Sequence, residues 1–347
     1  MTTHIEGPYL KDVLEQPLVL KRVCKKLDEI KFDSAVRQNL CSGKIRRVVL
    51  TGMGSSLNAL YPLHRKLSAA GITSHWIETA ELLLGFDNLY ASDTLLVAVS
   101  QSGESAEIVN LLHRTSEFGA IIGVTNNPDS TLGLASNHTL TLEAGVESTV
   151  SCKTYLSTLA VLNWLGAQLT GSGMAIAKDE LLQAANEVEI YLASWRGHVA
   201  EIIPFLEGVT NIFVTGRGDS LATAGTGGLI LKESTRLHAE GMSAAAFRHG
   251  PLEMAGSDVL VLIFEGDEKL APLHRRLAED ITHGGGKAAL LSELNSPLAA
   301  FRLPVVAESM RPLVEILPIQ MLSLALAARG GFEAGRFQRA SKITNIA

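Results

Sequence analysis

Cysteine is scarce in this chain: Cys24, Cys41 and Cys152 are the only three in 347 residues. An odd number at such wide spacing builds neither a disulfide framework nor a zinc site, and a reducing, cytoplasmic setting is expected. Charge is scarce as well. Charged residues make up 19%, the formal net charge is −6, and no basic block occurs. That excludes a general nucleic-acid binder and leaves room for a local anion site. Long apolar runs are missing too. The most apolar helix candidate picked out, YLSTLAVLNWLGAQL, is interrupted by Ser157, Thr158, Asn163 and Gln168. It reads as a buried core helix rather than a membrane span, and no membrane partner is expected. The opening MTTHIEGPYLKDVLEQP has no basic start followed by an apolar stretch, so no signal peptide is expected.

What is present is apolar residue in short pieces. Hydrophobic residues reach 46%, enough for a sizeable core and for two lobes. Residues 8–40 carry helical periodicity through Leu10, Val13, Leu14, Leu18, Leu20, Val23, Leu27 and Ile30, with Pro17 breaking or kinking the run. IRRVVLTGMGSSLNALYPLHRKLSAAG then reads as strand, Gly/Ser loop, helix and glycine stop, and DTLLVAVSQSGESAEIVNLLHRTSEFG repeats that grammar. Strands alternating with helices indicate βαβ units and a parallel sheet covered on both faces. The second half echoes the first. Gly52, Gly54, Ser56 and Leu57 recur 164 residues later as Gly216, Gly218, Ser220 and Leu221, and Leu95–Ser100 recurs as Val259–Phe264. The expected fold is α/β, with two similar doubly wound parallel-sheet lobes of Rossmann-like type. Residues 1–40 form an N-terminal helical segment, 41–172 the first lobe, 173–208 a helical connection, 209–335 the second lobe and 336–347 a tail.

The stretch VAVSQSGES, Val97 to Ser105, ends an apolar strand on a crowd of small hydrogen-bond donors. In a parallel α/β sheet, ligands bind beyond the carboxyl ends of the strands, where the next helix offers unpaired N–H groups. Ser100, Gln101, Ser102 and Ser105 add hydroxyl and amide donors, and Gly103 permits a close backbone approach. Gly54, Ser55 and Ser56 stand at an equivalent strand end and could close a cradle for phosphate. The competing reading is plain helix capping, for which serine is favoured. The second lobe has FEGDEK in place of SQSGES, and its acidic residues would repel an anion, so only the first lobe is expected to bind phosphate. No G-x-x-x-x-G-K-[ST] string occurs, and GMGSSL and GRGDSL lack the third glycine of the dinucleotide fingerprint. The HAE at His238–Glu240 is a fragment of the zinc deaminase signature without its P-C-x-x-C. No metal and no cofactor is expected.

These motifs, with NNPDSTL, LKESTRLHAEGMSAAAFRHGPLEM and the C-terminal SK, resemble the sugar isomerase (SIS) domain proteins along nearly the whole chain. The likeness is to the isomerase part of glucosamine-6-phosphate synthase and to stand-alone amino-sugar phosphate deaminases and fructosamine 6-phosphate deglycases. The resemblance implies that Ser56, Ser100, Gln101, Ser102 and Ser105 hold the sugar phosphate, with Ser55, Ser151 and Ser341 near the sugar. It assigns Glu233 as general base, His249 to ring opening from a neighbouring subunit, and Lys342 on the tail to the open-chain sugar. A homodimer or larger homo-oligomer with shared sites follows. Those residue types suit the chemistry. Moving a proton between C1 and C2 needs one carboxylate that takes and returns it, histidine titrates near neutrality, and an ammonium stabilises an enediolate or enaminol.

Two departures bear on the reaction. A chain starting MTTH at this length is not expected to carry the synthase's glutaminase domain, and Ile230 stands where the synthase has a lysine one helical turn before the base. The expected activity is therefore the opening of an amino-sugar or fructosamine-type 6-phosphate, a proton shift and release of ammonia or an amine, with deglycase favoured over deaminase by Ile230. Aldose–ketose isomerisation and a non-catalytic phosphosugar sensor are the alternatives.

Overall fold

The computed structural model describes residues 5–30, 32–293, 299–339 and 341–342. Of the tail expected at 336–347, residues 340 and 343–347 lie outside the described residues. Two strands in which every residue is buried organise the chain: β3 (Thr94–Val99) and β8 (Val259–Phe264). Continuous apolar runs of this kind belong to parallel sheets covered on both faces, since neither side of the strand meets water. Around β3 lie β1 (Arg47–Gly52), β2 (Ser74–Glu78), β4 (Ala120–Thr125) and β5 (His138–Thr141), in the order β2-β1-β3-β4-β5. Around β8 lie β6 (Asn211–Gly216), β7 (His238–Ser243), β9 (Lys287–Ser292) and β10 (Ala299–Arg302), in the order β10-β9-β8-β6-β7. All pairs are parallel. Each sheet thus runs second-first-third-fourth-fifth strand, the doubly wound order.

The helices, in chain order, are α1 (Pro8–Leu14), α2 (Gln16–Glu29), α3 (Ser34–Cys41), α4 (Gly54–Ala59), α5 (Tyr61–Ala69), α6 (Thr79–Gly85), α7 (Ala106–Leu112) and α8 (Thr131–Ala135). They continue as α9 (Lys153–Thr170), α10 (Met174–Ala193), α11 (Trp195–Ile202), α12 (Ser220–Thr235), α13 (Ala244–Arg248), α14 (Ala271–His283) and α15 (Arg311–Arg329). Pro17 does break the N-terminal run. It falls in the first turn of α2, where its missing N–H costs nothing, and α1 ends at Leu14. The stretch read as a Gly/Ser loop after β1 is itself helical: Met53 is the extended N-cap and α4 starts at Gly54.

Two compact units emerge. One holds the described residues of 18–147, 152–182 and 338–347, and the other those of 1–17, 148–151 and 183–337. In the first, Val49, Leu96, Ala98, Ile108, Leu111 and Leu132 pack as a core between the sheet and its helices. In the second, Phe213, Phe247, Val261, Ile263, Leu277 and Leu290 do the same. α15, with its N-terminal flank from Glu308, is long and apolar enough to cross a membrane, yet nearly all of it is buried inside the fold, as befits a core helix.

Sheet register refines the internal repeat. Arg47 pairs with Thr94 and Asn211 with Val259, so the first strands are offset by 164 residues but the third strands by 165. The aligned strings therefore slip by one residue, and Glu265, not Phe264, takes the place of Ser100. Backbone bonds agree: Ser100 N donates to Val124 O, and Glu265 N donates to Leu291 O, each on the next strand.

Candidate active site

In the first unit, strand order reverses between β1 and β3, the switch point at which open α/β sheets hold ligands. Gly52 pairs with Val99 there, so Ser55 and Ser56 on α4 stand beside the loop Ser100–Ser105. Ser100 is buried, while Gln101, Ser102 and Ser105 are part-exposed. The loop is a built turn. Gly103, at φ +70°, donates its N–H to the Ser100 hydroxyl at 3.1 Å, and Glu104 N donates to the Ser102 hydroxyl at 3.1 Å. Both hydroxyls act as acceptors inside the loop, which leaves their O–H groups to donate outward. Ser105 is the N-cap residue of α7, yet its side chain makes no capping bond. Plain helix capping therefore does not account for this serine.

A third strand end braces the loop. Asn126 N donates to Gln101 O at 3.0 Å and Leu132 N to Gly103 O at 3.1 Å. The Glu104 carboxylate accepts from Thr131 N at 2.6 Å and Thr131 Oγ1 at 2.8 Å, tying SQSGES to NNPDSTL.

The same unit holds a carboxylate that the sequence pattern did not single out. Glu147 has no exposed side-chain surface. Its Oε1 accepts from Cys152 N at 3.0 Å and Thr154 N at 3.1 Å, and its Oε2 from Thr154 Oγ1 at 2.6 Å and Lys342 Nζ at 2.9 Å. Ser341 beside that lysine is exposed. Ser151 belongs to the other unit and is part-buried.

In the second unit, the corresponding switch point, between β6 and β8, is filled from within. Glu265 is 1% exposed; it accepts from Arg275 Nε at 2.5 Å and from the Ser292 hydroxyl. His274 Nδ1 meets the Glu265 carbonyl at 2.7 Å, and burial holds its pKa below the usual imidazole value. The acidic residue expected to repel an anion is thus tied to an arginine at the position Ser100 occupies in the first unit. Nearby, Ser220 donates to Glu315 at 2.6 Å, and burial pushes the Glu315 carboxyl up to about 7.

Glu233 lies near the end of α12, part-exposed, and Ile230 one turn earlier is buried, so that position contributes packing. Lys232, next in the chain, sits 3.5 Å from Glu240 on β7. The HAE fragment is therefore part of an edge strand with an ion pair. His249 follows α13 as its C-cap and is exposed, its turn completed by Gly250 at φ +131°.

Comparison with known proteins agrees with this fold. A family model described as the SIS domain matches twice, over residues 43–167 and 205–329. The chain belongs to the SIS domain family. The glutamine–fructose-6-phosphate aminotransferase (isomerizing) of Pyrococcus horikoshii is 27% identical over 350 residues, which cover 97% of this chain and 57% of that protein. The chain thus spans little more than half the length of that curated relative. Among solved structures, the C-terminal domain of the glucosamine-fructose-6-phosphate aminotransferase from Francisella tularensis superposes with a TM-score of 0.85 at 22% identity, covering 95% of this chain and 98% of that one. Glucosamine-6-phosphate deaminase from Thermotoga maritima gives 0.77 at 19% identity, covering 98% and 100%. The two SIS matches fall on the two sheets, so the internal repeat is a repeat of SIS domains.

Proposed function

We propose that this SIS protein is a phosphosugar-processing enzyme that opens an amino-sugar 6-phosphate or a fructosamine-type sugar–amine 6-phosphate and releases ammonia or an amine. The observation that carries the reading is the one-sided switch point: six hydrogen-bond donors in the first unit, a buried Glu265 tied to the part-exposed Arg275 in the second. Ser56, Ser100, Gln101, Ser102 and Ser105 hold the phosphate by many neutral hydrogen bonds, while Ser55, Ser151 and Ser341 line the sugar. His249 assists ring opening; its exposure on this chain suits donation to a neighbouring subunit, in a homodimer or larger assembly. Glu233 takes the proton from one of C1 and C2 and returns it to the other, as a positioned carboxylate can. The carbon–nitrogen bond becomes an imine, and water adds to it and expels the amine, leaving the carbonyl sugar phosphate. Lys342 stabilises the negative charge that develops between the two proton transfers.

Ile230 favours a deglycase, because the turn before the base offers no second proton-transfer group, while the likeness to a glucosamine-6-phosphate deaminase keeps the deaminase reading beside it. Three cysteines, none in a disulfide, suit a cytoplasmic enzyme. The test is product formation from glucosamine 6-phosphate, fructose 6-phosphate and a series of fructosamine 6-phosphates. Amine or ammonia release supports the proposal, ketose–aldose exchange alone moves the enzyme to plain isomerisation, and binding without turnover makes it a sensor.

A further inference from the structure

We propose that Glu147 is a positioning residue that docks the C-terminal tail, holding the Lys342 ammonium at the amino end of α9 ready for the sugar. The inference rests on the reading above that Lys342 faces the open-chain substrate. A helix cap alone would need less than this carboxylate provides. Oε1 already accepts from Cys152 N and Thr154 N at the start of α9, at 3.0 and 3.1 Å. Oε2 is turned to Thr154 Oγ1 at 2.6 Å and Lys342 Nζ at 2.9 Å, and the lysine comes from 195 residues further along the chain. The carboxylate is fully buried and Lys342 is 23% exposed, so the pair is shielded from solvent screening on one side and reachable on the other.

The arrangement also explains how the lysine can leave. Two backbone N–H groups, a hydroxyl and the positive end of the eighteen-residue α9 remain on Glu147 when the ammonium moves. The buried charge is then still satisfied, and Lys342 can pass between Glu147 and a charged intermediate at small cost. Were the ammonium its only partner, release would strand a buried carboxylate.

Acetylation of Lys342 by a water-soluble succinimidyl ester, read by peptide mass spectrometry, measures docking without any turnover. Exposed Lys44 serves as the internal reference. In the parent, Lys342 should react at least about tenfold more slowly than Lys44, the factor that one hydrogen bond to a charged group supplies. Glu147→Gln should erase that protection. Glu147→Asp keeps the charge for α9 but draws the carboxylate back, and it should raise the Lys342 rate even if the glutamine variant does not fold. Equal rates for Lys342 and Lys44 in the parent, or an unchanged Lys342 rate in both folded variants, would overturn the docking. A positioning role further requires non-additive kinetics: once Lys342→Met is present, adding Glu147→Gln slows turnover no further. Additive losses would make Glu147 a helix cap only. Because acetylation needs no substrate, failure of the docking and failure of the proposed reaction are read separately.

Discussion

Replacing Gly103 with alanine probes the serine loop at its tightest point. Gly103 has φ +70°, and a Cβ built there would lie 2.0 Å from Ser130 Oγ, 2.6 Å from Ser130 Cβ and 3.0 Å from Thr125 Oγ1. Ser130 has little freedom to retreat. It is 1% exposed, donates to Asn127 O at 2.7 Å and accepts from Gly133 N at 3.2 Å as the cap of α8. The left-handed backbone costs an alanine about 1–2 kcal/mol. The overlap adds about 1–3 kcal/mol, as overpacking elsewhere does. Together they predict a loss of about 2–5 kcal/mol. Gly43→Ala is the matched control, with φ +76° and nothing within 4 Å of its Cβ, so only the backbone cost applies, about 1–2 kcal/mol. Urea midpoints at unchanged m-value give both numbers, and calorimetry with a phosphosugar shows whether the cradle is lost. Gly103→Ala should lose more stability than the control and should also lose phosphosugar affinity, which Gly43→Ala keeps. Equal destabilisation in the two variants would refute the packing argument, and intact affinity in a destabilised Gly103→Ala would separate the loop from ligand binding.

Ser102→Ala should raise the Michaelis constant for a phosphorylated substrate by about tenfold or more, since a hydrogen bond to a charged group contributes about 1.5–3 kcal/mol. Equal turnover of unphosphorylated sugars by the parent would contradict that. Glu315→Gln should flatten part of the pH dependence of stability. The folded carboxyl keeps its proton to about pH 7 whereas the unfolded one loses it near 4.5, so the parent weakens as pH rises between those values, by about 3 kcal/mol, and the variant does not. Parallel stability curves over that window would remove the claim. Mixing Glu233→Gln with His249→Ala protein should restore activity through hybrid sites, and no recovery in demonstrably mixed oligomers would count against a shared site.

Legibility in the sequence followed burial. β1, β3, β6 and β8 stood out because each holds an enclosed apolar run, at residues 48–50, 95–99, 212–214 and 259–264. β2 and β7 did not. SHWIE is nowhere fully buried, Trp76 is 38% exposed, and HAEGMS has one buried residue, so neither edge strand carries a continuous apolar run. The offset of 164 was right for the first strands and one residue short for the third, because a short glycine-rich string aligns well without reporting an insertion between strands. The serine loop was readable because its residues are contiguous. Glu147 was not, since a lone glutamate in AGVEST has no local pattern, and its importance comes from Lys342 folding back across 195 residues. The acid at Glu265 was visible as a charge that would exclude phosphate, but its pairing with Arg275 and Ser292 required the sheet.

The central claim is that the serine loop binds the phosphosugar and Glu233 moves its proton, two separable jobs. Glu233→Gln keeps the side chain's size and removes the base. The decisive measurement is calorimetric binding by this variant of a phosphosugar that the parent converts, run beside an assay of amine release. The account predicts binding close to the parent's with turnover reduced by about 10²–10⁴-fold, the contribution of a positioned acid–base group. A variant that binds and turns over like the parent would contradict it and return Glu233 to an ordinary residue of α12.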